Sequence, residues 1–120
     1  MTVMSVDDSS TMRKIISIAV RNLGHELIEA ENGVDALNKL SGDIKVNLFI
    51  IDINMPEMDG LELIEKIKSD ERLCKIPIII LTTEQEEYMV NEGMSLGANE
   101  WMIKPFDPEE FYKTISKYSN

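Results

Sequence analysis

Three aspartates of this sequence stand directly after apolar runs, where a carboxylate is costly unless something uses it. Asp7 and Asp8 follow "TVMSV", and Asp52 follows "VNLFII". A buried carboxylate needs a compensating cation, and Mg²⁺ commonly takes one or two carboxylates, a carbonyl oxygen and several waters. The pattern predicts a magnesium site whose ligands are Asp8, Asp52 and the backbone carbonyl of Asn54. Asp7 would orient a water bound to that ion.

Two further apolar runs end in groups that could stabilise negative charge. Thr82 and Thr83 follow "IPIIIL", and Lys104 follows "EWMI". An ammonium and a hydroxyl beside a divalent cation stabilise the charge on the oxygens of a phosphoryl group during its transfer. With these groups beside it, Asp52 is expected to stay ionised and to face solvent. The arrangement predicts that Asp52 accepts a phosphoryl group and becomes an aspartyl phosphate.

Short β-branched runs alternate along the chain with stretches of helical period, and this alternation decides whether the groups can meet. It predicts a doubly wound (βα)₅ domain of the α/β class, in which helices cover both faces of a five-stranded parallel sheet in three layers. Ligands of such sheets lie beyond the carboxyl ends of the strands, where these polar groups fall. The predicted strands are Thr2 to Val6, Glu26 to Ala30, Val46 to Ile51, Ile76 to Leu81 and Glu100 to Ile103, with helices between them and one at the end.

The first helix shows the helical period most clearly. Its apolar residues recur at spacings of three and four and are expected to face the sheet. They are Met12, Ile15, Ile16, Ala19, Val20 and Leu23, whereas the residues expected to face away are Arg13, Lys14, Arg21 and Asn22. Gly24 then ends the helix as the first residue beyond it, a position that favours glycine.

The last helix opens with "FDPEE". Asp107 is expected to cap it, with the proline as its first residue and Glu110 reaching back in a capping box. Phe106 and Phe111 are spaced to pack against each other across that end. The helix is predicted to finish at about Tyr118.

Length, charge and cysteine content restrict the function further. The 120 residues, of which 43% are hydrophobic, fit one compact domain. A net charge of -10 and a pI of about 4.5 disfavour nucleic acid and membrane surfaces as partners and favour cations and proteins. The apolar runs are too short to span a bilayer and no signal segment precedes them, so a cytoplasmic protein is expected. Cys74 is the only cysteine, which leaves no disulfide and no thiolate metal cluster.

Taken together, the motifs resemble the receiver domain of two-component response regulators, specifically its stand-alone chemotaxis type. "VDDS", "DINMPEMDG", "LTT" and "KPF" follow the first, third, fourth and fifth predicted strands at receiver spacing, so the resemblance covers essentially the whole chain. Each motif alone is weak, because paired acids often only cap a helix and a lone lysine usually lies at the surface. All four in order are highly specific. The resemblance implies the flavodoxin-like strand order 2-1-3-4-5 and one receiver domain over residues 1–120 without an output domain.

The resemblance also implies roles for single residues. The matching positions are the phosphoacceptor Asp52, the acidic pair Asp7 and Asp8, the carbonyl ligand Asn54, the switch residues Thr82 and Trp101, the phosphate partner Lys104 and the cis-proline Pro105. The implied cofactor is Mg²⁺, and the implied phosphoryl donor is a histidine kinase of the CheA type.

Several positions tune or depart from the commonest receiver pattern. Thr83 stands where many receivers have alanine or glycine, which would narrow access to the phosphoryl group. Trp101 replaces the usual tyrosine or phenylalanine, and the resemblance leaves open whether so large a ring swings inward. Asn54 and Glu84 match the pair found in chemotaxis receivers that lose phosphate quickly, so a short-lived signal is expected.

The expected switch is a shift between two conformations. Phosphoryl oxygens would draw Thr82 and Lys104 inward, and the space vacated near Thr82 would change the preferred rotamer of Trp101. The face built from the fourth helix, the fifth strand and the fifth helix would then change its affinity for a partner such as a flagellar motor switch protein. That partner is implied by the resemblance alone.

Other functions fit the motifs less well than the switch does. A phosphorelay intermediate or phosphate sink would use the same chemistry but would benefit from a long-lived phosphate. A Mg²⁺-dependent phosphatase with an aspartate nucleophile usually carries a second aspartate where this chain has Asn54, and it needs a cap that the chain has little room for. The only hydrolysis expected is that of the chain's own aspartyl phosphate. An EF-hand is excluded by Glu57 and Leu63 at its sixth and twelfth loop positions, and a flavodoxin is disfavoured because two aspartates would repel the flavin phosphate.

Overall fold

Five parallel strands form one sheet with five helices on its two faces in the computed structural model, which describes residues 1–119. The strands are β1 Thr2–Val6, β2 Glu26–Ala30, β3 Leu48–Ile51, β4 Ile78–Thr82 and β5 Glu100–Ile103. The helices are α1 Ser10–Asn22, α2 Gly33–Leu40, α3 Gly60–Lys68, α4 Glu87–Ser95 and α5 Pro108–Ser116. The spatial order β2-β1-β3-β4-β5 confirms the predicted α/β class and the order 2-1-3-4-5. No helix within residues 1–119 is long and apolar enough to span a membrane.

The pairing register places the carboxyl ends of the central strands side by side. Val6 of β1 lies beside Ile51 of β3, which in turn lies beside Ile80 of β4. Thr82 of β4 pairs with Ile103, the last residue of β5. The residues that follow these positions therefore emerge at one edge of the sheet, where parallel α/β folds bind their ligands.

Strands β3 and β4 are buried along their full length. Successive side chains of a strand point to opposite faces, so Phe49 and Ile51 enter the core on the side of α2 and α3, and Ile50 enters the core on the side of α1 and α5. Both faces are shielded from water, which explains why these strands read as nearly continuous apolar runs.

Helix α1 ends before Gly24 as predicted, but fewer of its residues face the sheet than expected. Ser9 caps its start by accepting a hydrogen bond from the amide of Met12 at 3.2 Å, and Gly24 has a φ of +86°. Ile16 is buried, whereas Ile15 is 44% exposed, so the predicted inward position of Ile15 is wrong. Adjacent helical residues lie about 100° apart, which places Ile15 at the edge of the buried face that Ile16, Ala19 and Val20 form.

Strand β3 begins at Leu48, two residues later than the predicted Val46. The preceding residue, Asn47, bonds to Thr2 through both its side chain and its backbone. Asn47 Oδ1 accepts from the amide of Thr2 at 2.7 Å, and its own amide donates to the carbonyl of Thr2 at 2.8 Å. A side chain that bonds to the backbone competes with the regular ladder, so the strand starts one residue further on.

Strand β4 spans Ile78–Thr82 and not the predicted Ile76 to Leu81. Pro77 has no amide hydrogen and cannot donate to the ladder. It only accepts, from the amide of Phe49 at 3.0 Å. At the other end, Thr82 is the last residue of this strand and not the first residue after it, because it still pairs with β5 and its carbonyl accepts from the amide of Lys104 at 2.9 Å.

Helix α5 confirms the predicted Asp107 cap and the aromatic pair, but among the described residues the Glu110 side chain does not bond back to the amide of Asp107, so the capping box is only half formed. Asp107 accepts a hydrogen bond from the amide of Glu110 at 3.4 Å, and a proline follows the cap. The rings of Phe106 and Phe111 stack with centroids 4.3 Å apart. The helix ends at Ser116, slightly earlier than predicted.

Candidate functional site

Three aspartates meet at the carboxyl edge of the sheet. Asp7 and Asp8 follow β1, Asp52 follows β3, and one carboxylate oxygen from each lies within 4.8 Å of the others. Asp7 and Asp52 are 2% and 6% exposed, whereas Asp8 is an exposed residue. Two like charges about 4 Å apart repel by about 4 kcal/mol at an effective dielectric of 20. The structure thus brings the predicted aspartates together in a pocket that needs positive charge.

Lys104 supplies positive charge from the end of β5. Its Nζ donates to Asp7 Oδ2 at 2.6 Å and to Asp52 Oδ2 at 3.2 Å. Burial lowers the pKa of Lys104, but its bond to Asp7 and the charge of Asp52 outweigh burial, so the pKa is raised. Lys104 is therefore held in its charged form between two buried carboxylates. The peptide bond from Lys104 to Pro105 is cis, as the resemblance implies.

The Asp52 carboxylate is less accessible than its sequence position implies. The expectation that it faces solvent is wrong, because its exposure is 6%. Burial raises the pKa of Asp52. The charge of Lys104 lowers this pKa and the charge of Asp7 raises it further, so that the pKa is raised overall. The groups beside this carboxylate are the ammonium of Lys104, the carboxylate of Asp7 and the hydroxyl of Thr82.

The loop after β3 folds back from Asp52 to Gly60 against the end of that strand. The amide of Gly60 donates to the carbonyl of Ile53 at 2.9 Å, and a Cβ at Gly60 would lie 2.2 Å from the backbone oxygen of Asp52. Only glycine fits so close an approach. Glu57 has a left-handed φ of +66° and stands at the centre of a γ-turn whose flanking residues bond at 2.8 Å. The turn fixes the first residue of α3 against the backbone of Asp52.

Arg13, predicted to face away from the sheet, folds back over the loop after β1. Its Nη1 donates to the backbone carbonyl of Asp7 at 2.6 Å, and its Nε lies 3.6 Å from Glu29 Oε1. Asp7 Oδ1 also accepts from the amide of Ser9 at 2.9 Å. These bonds fix the loop that carries the acidic pair. The available sequence signal is the place of Arg13 one turn into a helix whose start faces the site.

Thr82 and Trp101 are joined through the backbone of Glu84. Thr82 is fully buried, and its Oγ1 accepts a hydrogen bond from the amide of Glu84 at 3.2 Å. Trp101 Nε1 donates to the carbonyl of the same residue, also at 3.2 Å. Thr83 and Asn54 are exposed. The two predicted switch residues therefore contact one common residue.

A comparison with known families agrees with this geometry. The family described as the response regulator receiver domain matches residues 3–116. The chain belongs to this family. Its membership confirms the resemblance carried by the motifs and makes this receiver domain a signalling protein.

Relatives of this receiver domain carry chemotaxis names. Chemotaxis protein CheY1 of Helicobacter pylori is 46% identical over 110 residues, which cover 91% of this chain and 89% of the relative. A chemotaxis protein CheY homolog of Campylobacter jejuni is 43% identical over 110 residues, which cover 91% and 85%. The receiver domain is therefore similar to CheY proteins over most of its length.

Solved structures share the fold. Chemotaxis protein CheY4 of Vibrio cholerae has a TM-score of 0.90 at 34% identity, covering 98% of this chain and 97% of that chain. The Mn²⁺-bound form of response regulator Rcp1 has a TM-score of 0.82 at 27% identity, covering 97% and 89%. The arrangement of this receiver domain is thus that of known receivers.

Proposed function

We propose that this receiver domain is a phosphorylation-activated switch in chemotaxis, with Asp52 as its phosphoacceptor. The observation that carries the proposal is the position of the Lys104 ammonium, 3.2 Å from Asp52 and 2.6 Å from Asp7. A carboxylate beside a fixed ammonium is suited to receive a phosphoryl group, because the ammonium stabilises the charge that arrives with it. The names of relatives at 43% and 46% identity support the role in chemotaxis.

The proposed donor is a histidine kinase of the CheA type. A carboxylate oxygen of Asp52 attacks the phosphorus of the phosphohistidine, and the bond from phosphorus to the imidazole nitrogen breaks. The nitrogen keeps the electron pair and takes up a proton. Lys104 turns its ammonium toward the phosphoryl oxygens, and the Thr82 hydroxyl donates to another of them. These contacts would draw both residues toward Asp52.

Mg²⁺ is the proposed cofactor of this transfer. Asp8, Asp52 and the backbone carbonyl of Asn54 would hold it, with Asp7 orienting a bound water. The fit depends on the three carboxylate oxygens that lie within 4.8 Å of one another. When bound, the ion neutralises charge on the phosphoryl oxygens. Rcp1, a related receiver at 27% identity, is described as Mn²⁺-bound, which supports a divalent cation at this site.

The phosphorylated state is proposed to be short-lived. Asn54 is exposed and Glu84 is half-buried, so water can approach near these two side chains, whereas the exposed Thr83 would narrow access to the phosphoryl group. A polar side chain beside an aspartyl phosphate can orient the attacking water. Hydrolysis of its own phosphate is the only hydrolysis proposed for this chain.

The output surface is proposed to be the face formed by α4, β5 and α5. Tyr88 of α4 and Ile103 of β5 are 67% and 36% exposed, and exposed apolar side chains favour a protein partner. A flagellar motor switch protein is the proposed target, in the cytoplasm. The net charge of -10 disfavours nucleic acid and membrane surfaces as alternatives. Equal affinity for a purified motor switch protein with and without beryllofluoride, a phosphoryl mimic, would contradict this target.

The phosphoacceptor is tested by intact mass. The protein is incubated with acetyl phosphate and Mg²⁺, with and without a chelator. We expect one phosphoryl adduct in the wild type with Mg²⁺, and none with the chelator or in Asp52→Asn. Asp43→Asn, at an exposed loop residue, is the matched control and should take up the adduct. An adduct on Asp52→Asn, or none on the wild type, would overturn the proposal.

A further inference from the structure

Helix α4 has few residues packed against the rest of the domain. Gly93 is the only buried residue of this described helix. Met89 is half-buried and packs against the core. The cap residue Glu86 makes no side-chain hydrogen bond to the helix start. The position of α4 therefore depends closely on what lies beneath Gly93.

The space beneath Gly93 is filled by Trp101 and Ile80. These residues are paired neighbours on β5 and β4. A Cβ at Gly93 would lie 2.8 Å from Ile80 Cδ1, 3.0 Å from Trp101 Cζ3 and 3.4 Å from Trp101 Cε3. Gly93 lies within a helix and has no need of a left-handed backbone, so it is space and not conformation that requires glycine here. Cζ3 and Cε3 belong to the six-membered part of the indole, and a phenylalanine ring has no atom that extends as far as Cζ3.

The opposite edge of the indole is held by a hydrogen bond. Trp101 Nε1 donates to the carbonyl of Glu84 at 3.2 Å, just before α4 begins. The amide of Glu84 donates to Thr82 Oγ1, also at 3.2 Å. The backbone of one residue thus links the proposed switch hydroxyl to the indole, and the indole contacts α4 at its buried glycine.

We propose that Gly93 is a positioning residue matched in size to Trp101, and that this pair couples α4 to the phosphorylation site. In contrast to the change of Trp101 rotamer expected from the sequence, the indole acts as a strut that stays packed beneath Gly93. When Thr82 turns toward the phosphoryl group, it withdraws its oxygen from the amide of Glu84. The released loop then shifts α4 over the indole. The size match stands on geometry alone, whereas the coupling rests on the proposed phosphorylation of Asp52.

The change in melting temperature of Gly93→Ala, measured without phosphoryl donor, tests the size match, because helix propensity and the size match predict changes of opposite sign. Alanine is a better helix former than glycine, so helix propensity alone would raise the melting temperature of Gly93→Ala. We expect a lower melting temperature, with red-shifted tryptophan emission and stronger acrylamide quenching, because the added methyl displaces the indole. Asn91→Ala, at an exposed position of the same helix, is the control and should not lower it. An unchanged emission and a raised melting temperature in Gly93→Ala would overturn the proposal.

A double variant separates the indole from other causes. In the Trp101→Phe background, the smaller ring leaves space into which the terminal methyl of Ile80 can move, so that a methyl group at position 93 can be accommodated. Adding Gly93→Ala to this background should raise the melting temperature, reversing the sign seen in the wild type. If Gly93→Ala lowers the melting temperature equally in both backgrounds, then Ile80 or the helix, and not Trp101, excludes the methyl group. The proposed pairing would then be wrong.

Hydrogen exchange tests the coupling. Beryllofluoride and Mg²⁺ should change amide exchange across residues 84–95 in the wild type, and Gly93→Ala and Trp101→Phe should reduce that change by about half or more. Intact mass must show that both variants still take up a phosphoryl group. An undiminished exchange response in variants that are phosphorylated overturns the coupling. Absence of uptake in the wild type would instead contradict the proposed function, and the two unfolding experiments would still decide the size match.

Discussion

Asp8 differs from the other two aspartates of the pocket in its exposure. Asp7 and Asp52 are buried and share the ammonium of Lys104. Asp8 is exposed, yet its carboxylate lies within 4.8 Å of theirs. Its charge therefore adds repulsion without a large cost of burial, and the most direct way to offset that repulsion is a cation shared by all three.

Asp8→Asn should separate stability from metal binding. Without Mg²⁺ we expect the variant to be more stable by about 1 kcal/mol, because one repulsive charge is removed from a partly solvated pocket. A ligand that binds only the folded state stabilises it by mass action, so Mg²⁺ should raise the melting temperature of the wild type and raise that of the variant much less. Thermal unfolding in chelator and in Mg²⁺ measures both effects. Equal shifts with Mg²⁺ in the two proteins would exclude Asp8 as a ligand, and Asp43→Asn should behave as the wild type.

At the residue scale, the sequence predicts which groups meet better than it predicts how they are oriented. Asp7, Asp52 and Lys104 follow apolar runs, and the carboxyl ends of parallel strands converge, so their meeting is predictable. The burial of the Asp52 carboxylate is not predictable from local pattern, because it depends on Asp7, Thr82 and Lys104, which reach it from three other strands. The inward turn of Arg13 likewise depends on a carbonyl in another segment, which no helical period can indicate.

Among the larger elements, the loop between β3 and α3 has the least room for change. The amide of Gly60 bonds to the end of β3, and its missing side chain faces the backbone oxygen of Asp52 at a distance that no methyl can occupy. Any widening of this contact moves the proposed phosphoacceptor.

Gly60→Ala should therefore destabilise the domain and also slow the transfer of a phosphoryl group to Asp52. Forced overpacking costs about 1–3 kcal/mol or more, and here the clash is with backbone, which cannot rotate away. We expect a lower urea midpoint and slower phosphoryl uptake from acetyl phosphate. Gly42→Ala is the matched control, because its added Cβ would lie 3.9 Å from the nearest atom, the carbonyl oxygen of Lys39. Wild-type stability and uptake in Gly60→Ala would refute the close approach.

The end of α5 is joined to β5 by a phenol. Tyr118 Oη donates to Glu100 Oε2 at 2.7 Å, and Lys117 Nζ lies 3.5 Å from the same oxygen. Burial, together with the bond to Glu100 and its charge, raises the pKa of Tyr118 to about 12. The folded state thus favours the neutral phenol more strongly than the unfolded state does.

The sign of this shift predicts an alkaline loss of stability. Because the folded pKa of about 12 exceeds the unfolded value of 10.0, the contribution of Tyr118 is complete below pH 10 and is lost as the pH rises toward 12. The urea midpoint of the wild type should fall more steeply over this range than that of Tyr118→Phe. Absorbance of tyrosinate should show a late-titrating group that the variant lacks. Parallel pH profiles for the two proteins would contradict the role of this bond.

The boundaries of elements are harder to predict than their existence. All five strands follow from the alternation, and the resemblance implies their order, but β3 and β4 start late because of Asn47 and Pro77. Both residues act through bonds to other strands, which local patterns do not reveal. The contact between Gly93 and Trp101 is of the same kind, since a glycine in a weakly amphipathic helix gives no sign of the side chain beneath it.

For the whole molecule, the distribution of charge favours one kind of partner. The net charge of -10 is spread over a domain whose helix α1 carries three basic residues and no acidic one. Long-range fields of this size steer oppositely charged proteins and are weakened by salt. The domain as a whole therefore favours a partner with a basic contact surface, which agrees with a signalling protein that meets other proteins.

The ion pair between Lys104 and Asp7 joins residues 97 positions apart. During synthesis, the acidic pair and Asp52 leave the ribosome long before β5 does, so the nascent chain carries these carboxylates without their ammonium. Closing so long a loop is entropically costly and comes late in folding. A partly synthesised chain should thus be unable to take up the proposed phosphoryl group, so only chains that have completed the sheet would compete for the proposed donor kinase.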